Sequence, residues 1–284
     1  MKTYFFLFAL LPLLSVSMLS CTNSHDDDVI IYVPRQVRET PTGQTNPKEV
    51  ILLTILYDSQ YRPKSEADAD RTANIYYSID SSIDSVSFIP TNTAKDRERK
   101  ELAAALSIPE ADVSVTDSTR AIYTHSGSDI AIKLYTYRSK NDHDTTAQKI
   151  TLNAEMLPIS YTYKNSEKRY SYADSTLTTI EHYDNSVLAW TRSYEYSTSD
   201  KSPYCEVPDY PAWYFVVYRY ISPKGFTTKC TYTASGSSAA IEYELSDITT
   251  SDLEFVTKCT KTYYEKSGNR IVTYRQDYRK LALD

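Results

Sequence analysis

Glycine is scarce in this chain, 5 of 284 residues, which excludes collagen-like and flexible low-complexity material. His25, His125, His143 and His182 are scattered, and none lies in a His-Glu-x-x-His or comparable ligand frame. No metal site and no other cofactor are expected. The chain also lacks a Gly-x-Ser-x-Gly elbow, a phosphate-binding loop and a dinucleotide fingerprint, so it is read as a binding protein and not an enzyme. The net charge is −6 and there is no basic stripe, so nucleic acid is not an expected partner.

Tyrosine is abundant, with 27 residues against 2 tryptophans. Aromatic and β-branched residues suit a pleated, half-buried surface, so the chain is expected to be mostly β. Tyr-x-Tyr recurs at Tyr135/Tyr137, Tyr161/Tyr163, Tyr170/Tyr172, Tyr194/Tyr196 and Tyr218/Tyr220. On a strand, each such pair shares one face and leaves a polar residue on the other.

In chain order, Val50 to Tyr57 is apolar on both faces and predicts a strand, and Ala73 to Ile79 with Ile83 to Ile89 predict a hairpin. The one predicted helix is Ala94 to Leu106, entered from Asn92-Thr93 and closed before Pro109, packing through Leu102, Ala105 and Leu106. Ile130 to Tyr137, Ile150 to Met156 and Ile159 to Tyr163 read as strands, with Asn141 to Asp144 as a loop. Beyond them come strands at Arg169 to Tyr172, Leu177 to Tyr183, Val187 to Tyr196, Ala212 to Ile221, Phe226 to Thr233, Ala239 to Leu245, Leu253 to Glu265 and Arg270 to Tyr278. Short turns join them, which favours adjacent pairing. The expected fold is an antiparallel meander forming a sheet, a sandwich or a barrel-like body, with one short helix at about residues 94–106.

Lys2, the apolar run from Tyr4 to Leu14 and the small residues up to Ser20 form a secretory signal, too short to span a membrane stably. With Cys21 and Ser24-His25-Asp26-Asp27-Asp28, this start resembles the surface-exposed lipoproteins of the Bacteroidota. That resemblance implies cleavage before Cys21, acyl chains such as palmitate on its sulfur, and an outer-membrane location facing the exterior, with the membrane as a partner. The last strands, Ile248 to Phe255 and Tyr263 to Lys280, resemble the closing strands of lipocalin-like domains of such lipoproteins. Arg169 to Tyr172 and Thr178 to Ile180 resemble their tyrosine-rich meanders. The expected organisation is a signal peptide over 1–20, a lipidated flexible linker over 21–48, a β-rich region with the helix over 49–158, and a β meander over 159–284, the last two forming one domain or two. Cys205, Cys230 and Cys259 remain after lipidation of Cys21, an odd number that leaves one disulfide or none.

The richest candidate site is Tyr204 to Phe215. Tyr210, Trp213 and Tyr214 offer rings for stacking a sugar, and Glu206 and Asp209 offer acceptors. Against this, Trp213, Phe215 and Val217 also fit one face of a core strand. Glu66, Asp68 and Asp70 mimic the start of a calcium loop, but Ala73 stands where its glycine belongs and Ile79 where its bidentate acid belongs, so they read as a solvated loop. Three functions fit: capture of a glycan or other nutrient, carriage of a small apolar ligand in a closed barrel, and a structural or adhesive role toward other surface proteins.

Overall fold

The structure, a computed structural model, describes residues 29–139, 142–197, 199–202 and 211–283. Its wall is a closed antiparallel barrel of sixteen strands. The first half holds β1 (Val29–Pro41), β2 (Val50–Tyr57), β3 (Pro63–Ala67), β4 (Arg71–Tyr77), β5 (Ile83–Pro90), β6 (Ser118–Ser126), β7 (Asp129–Ser139) and β8 (Asp142–Leu152). The second half holds β9 (Pro158–Tyr163), β10 (Ser166–Ala173), β11 (Thr176–Asp184), β12 (Val187–Tyr196), β13 (Thr227–Ala234), β14 (Ala240–Thr250), β15 (Val256–Glu265) and β16 (Gly268–Leu283). Each strand pairs with its sequence neighbours, and β1 closes the ring against β16. Two helices interrupt the meander, α1 (Asn92–Leu106) and α2 (Ala212–Arg219).

The alternation of side chains sets what lies inside. Tyr170 on β10 is buried while Arg169 and Ser171 beside it are exposed, and Ile130 and Ile132 on β7 are buried while Ala131 and Lys133 are exposed. Charged residues such as Lys133, Lys149, Arg169, Lys258 and Arg275 stand on the outward face. A lipid-facing barrel carries an apolar band there, and a Lys or Arg at its midplane costs about 2–4 kcal/mol. This wall instead carries charged residues among its outward side chains, and the buried side chains are mostly apolar. Sixteen strands also enclose a lumen too wide for wall side chains of ordinary size to fill. Long tyrosine side chains and α2 take up that space.

Up-and-down connection sorts the loops to two ends. The start of β1 lies at one end, here called the entry end, and the 197–226 segment carrying α2 also leaves and rejoins the wall there. The far end carries the β1–β2 loop and α1, which joins β5 to β6.

Several expectations are corrected. The linker assigned to 21–48 is a wall strand over Val29–Pro41: Pro34 sits at a register shift against β16 and Pro41 at the strand end, where a missing N–H is tolerated. Ala212 to Ile221 is not a strand but carries α2, so there are two α-helices among the described residues. The predicted loop at Asn141 to Asp144 is strand from Asp142 onward, with His143 opposite Tyr137, while Asn141 lies outside the described residues. Helix α1 buries Ala103, while Ala105 and Leu106 face solvent; its cap is Thr91, whose Oγ1 accepts from the Ala94 amide at 3.2 Å. The boundary placed at Pro158 falls at the start of β9, which pairs directly with β8, Leu152 opposite Pro158.

Candidate functional site

Helix α2 begins after Pro211 and ends at Tyr220, whose left-handed backbone (φ 56) turns its N–H back to the Phe215 and Val216 carbonyls. Trp213, Tyr214, Phe215, Val216 and Val217 are all buried. A helix apolar on every side needs apolar surroundings on every side, and the barrel interior supplies them. The Trp213 ring lies 5.2 Å from that of Tyr123, and Tyr218 packs on Phe88 with centroids 6.0 Å apart. At the helix foot, Ser202 Oγ donates to the Ser222 carbonyl at 2.8 Å, and the Leu177 amide donates to Ser222 Oγ at 3.1 Å. Gly225 (φ 71) lets the returning chain pass the Tyr196 ring, where a Cβ would stand 3.2 Å from Cδ1.

A polar lock fixes the helix to the wall. Glu66 on β3 is fully buried; it accepts from the Tyr214 hydroxyl at 2.5 Å and from Arg219 Nε at 2.9 Å. Arg219 also reaches Asp68 at 2.5 Å. Burial pushes the Asp68 carboxyl up, but the Arg219 guanidinium and the amides of Arg71 and Asp70 outweigh it and hold the pKa below the ordinary value. Burial lowers the Arg219 pKa, and the two carboxylates more than reverse that. Glu66 and Asp68 are therefore not the solvated loop expected from their spacing. Among the described residues no group of three or more His, Cys, Asp and Glu side chains is placed to hold a metal ion.

Above α2 the lumen stays open. An inner lobe of about 280 Å³ is bordered by Val37, Leu53, Tyr243, Lys261, Tyr274 and Gln276 of the wall and by Arg219 and Tyr220 of the plug. An outer lobe of about 460 Å³ meets it at Arg219, Tyr220 and Tyr243 and continues past Arg192, Cys230 and Glu242 to Tyr263 and Glu265 near the far end. A third, about 290 Å³, lies across Tyr218 against Phe88, Gln148 and Tyr161.

Cations in this space rest on phenol faces. Lys261 Nζ lies 4.4 Å from the Tyr243 ring centre and 4.5 Å from that of Tyr263. Arg192 stands over Trp190 at 5.3 Å and Tyr220 at 5.6 Å, and Lys168 donates to the Tyr220 hydroxyl. Acids are engaged as well: Glu39 accepts from Tyr263 and Arg270, and Glu242 accepts from Arg192 at 2.8 Å and Cys230 Sγ at 3.1 Å. Burial pushes the Cys230 and Cys259 thiols up to about 12, reinforced at Cys230 by Glu242, so both stay protonated and poorly reactive. Neither is in a disulfide.

Of the sequence candidates, Trp213 and Tyr214 form the core of the plug, at 6 % and 0 % exposure, so neither belongs to an exposed stacking platform. Cys21, Cys205, Glu206, Asp209 and Tyr210 lie outside the described residues. The luminal set of Arg192, Tyr220, Tyr243, Lys261 and Gln276 was not singled out. Apart from Tyr220, which ends α2, its signal was the alternation on β12, β14, β15 and β16, which puts tyrosines and single cations on one face.

No family model and no curated protein sequence matches the chain. Among solved structures it is similar to one described as a porin-like protein from Bacteroides vulgatus ATCC 8482, at 11% identity over 88% of this chain and 99% of that one. The TM-score is 0.38, a likeness too slight to carry an argument about either fold or function.

Proposed function

We propose that the chain is a non-catalytic binding protein, held at the cell surface by lipid on Cys21, that takes a small ring-bearing ligand into the lumen of its barrel. The observation that carries this is the aromatic and cationic cavity beside the C-terminal end of α2, bordered by Tyr220, Tyr243, Arg192 and Lys261. Such a site, concave and mostly apolar with a few converging polar groups, is the ordinary form of a small-molecule pocket. It favours the carrier among the three functions, for an amphipathic rather than a purely apolar guest. Capture of a glycan on an exposed patch has less support, because two of the three rings offered for it, Trp213 and Tyr214, are core.

Trp190 reports on the site: it borders the lumen, with His182 stacked on it at 5.0 Å and Arg192 above it. A panel of mono- and oligosaccharides, aromatic acids and alcohols, and fatty acids is titrated against lipid-free protein carrying Cys21→Ser, followed by tryptophan emission and melting temperature. A ligand that shifts both, and is lost in Tyr220→Ala and Tyr243→Ala variants that still fold, is the expected result. A panel without any responder sinks the luminal proposal. Binding untouched by those two variants returns the weight to surface capture. The anchor is tested separately, by whether Cys21→Ser releases the protein from membranes.

A further inference from the structure

We infer that the lumen takes a ring-bearing acid, with the carboxylate received by Lys261 and Arg219 and the ring laid against Tyr220 and Tyr243; this rests on the luminal reading above. Among the described residues, the inner lobe is bordered by those two cations and by no Asp or Glu. The Lys261 side chain is 15% exposed, and its nearest carboxylate oxygen, Glu39 Oε1, is 3.8 Å away, beyond hydrogen-bond range. That carboxylate is already shared with Tyr263 and Arg270. Phenol faces compensate the ammonium only in part, and burial holds its pKa below that of an ordinary lysine.

Three further atoms lack partners, two on residues of the inner lobe and one on Arg192 of the outer lobe. Arg219 Nη2 and Arg192 Nε are buried donors with no acceptor, and Gln276 Oε1 is a buried acceptor with no donor. Gln276 is 3% exposed and borders the inner lobe. Buried polar groups left unpaired are costly, so a site that keeps several of them together is shaped for a guest that pairs them. In the inner lobe a carboxylate satisfies Lys261 and Arg219, and a hydroxyl on the same ring satisfies Gln276. Among the described residues a cationic guest finds no counterpart, since Glu39, Glu66, Asp68 and Glu242 all have partners of their own. The inner volume of about 280 Å³ admits a single ring.

Matched pairs decide the matter: benzoate against benzyl alcohol, and galacturonate against galactose, titrated calorimetrically into the Cys21→Ser protein. The expected result is that, in at least one pair, the acid binds about tenfold or more tighter than its neutral partner, a margin of ~1.4 kcal/mol. Lys261→Met is expected to erase that margin, and Lys261→Arg to keep most of it. Equal binding of acid and neutral partner overturns the inference while leaving the luminal reading standing. An acid preference that survives Lys261→Met in a folded variant overturns it too. If none of the four compounds binds, the inference fails, and the wider panel decides the luminal reading independently.

Discussion

The phenol of Tyr172 donates to the carbonyl of Pro158 at 2.8 Å, tying the end of β10 to the first residue of β9. Tyr77 makes the same bond to Pro63 across β4 and β3, also at 2.8 Å. Tyr57 reaches Pro34 at 2.7 Å, Tyr278 reaches Val256 at 3.0 Å, and Tyr196 bonds the Leu177 carbonyl. All five stand near the entry end, and a register shift against a neighbouring strand falls at or beside each of Tyr57, Tyr77, Tyr172 and Tyr196. A bulge leaves ladder groups unpaired where the strand bends, and a phenol hydroxyl long enough to reach past it restores a bond. Tyrosine thus serves twice, filling a wide lumen with its ring and stapling the rim with its oxygen.

Removing one hydroxyl tests the staple. Tyr172→Phe and Tyr77→Phe are each expected to lower unfolding stability by about 1 kcal/mol, the net worth of one hydrogen bond. Lying on separate hairpins, they should add in the double variant. Urea midpoints at constant slope measure this, and a midpoint unchanged in both single variants would remove the proposed role.

The plug is expected to depend on its lock. Arg219→Met leaves Glu66, fully buried, with only the Tyr214 hydroxyl, and breaking a buried pair from one side costs about 3–5 kcal/mol. Adding Glu66→Gln replaces the stranded charge with a neutral amide and should recover a substantial part of the loss. Chemical denaturation of both single variants and the double gives the coupling; strictly additive losses would mean the pair does not hold α2.

Much of the wall was legible because one wet face and one buried face give a period of two, as at Ile130, Ile132 and Leu134 on β7. The helix α2 was not. Trp213 to Tyr218 are aromatic or β-branched, the residues that favour strands, and a short apolar run has no period to tell helix from strand. Its lack of any polar face was nevertheless informative, since a strand of this wall needs one side for water. Closure was hidden for a different reason: β1 meets β16 across nearly the whole chain, with Val29 opposite Leu283, and no local pattern encodes so distant a pairing. The buried role of Glu66 was equally nonlocal, since its partners Tyr214 and Arg219 lie about 150 residues further along.

Acid should loosen the plug before it unfolds the wall. The Asp68 pKa is held below the ordinary carboxylate value of 3.8 in the folded state, so its contribution is complete above that value and is lost as pH falls through the folded one. Asp68→Asn is therefore expected to destabilise at pH 7 and to cost progressively less as pH falls below 3.8. Stability of parent and variant across a pH series measures this; a gap that stays constant down to pH 2 would assign the loss to packing instead.

Lys261 is expected to hold binding capacity at the expense of stability. Its folded pKa lies below the unfolded value of 10.5, with burial the leading cause and Glu39 opposing it. The unfolded chain therefore binds the proton more tightly, and stability linked to this group rises with pH through that window. At neutral pH the ammonium is charged, buried and incompletely paired, so replacing it with an apolar side chain of similar length relieves the penalty. Lys261→Met should stabilise the empty protein by about 1 kcal/mol or more, ~2–4 °C in melting temperature for a chain of this size. In the parent, an acidic ligand should raise the melting temperature by pairing the same ammonium, and in the variant that ligand-dependent rise should disappear. A variant that melts lower than the parent would mean the phenol faces of Tyr243, Tyr263 and Tyr274 already stabilise Lys261 fully, leaving no penalty for a ligand to relieve.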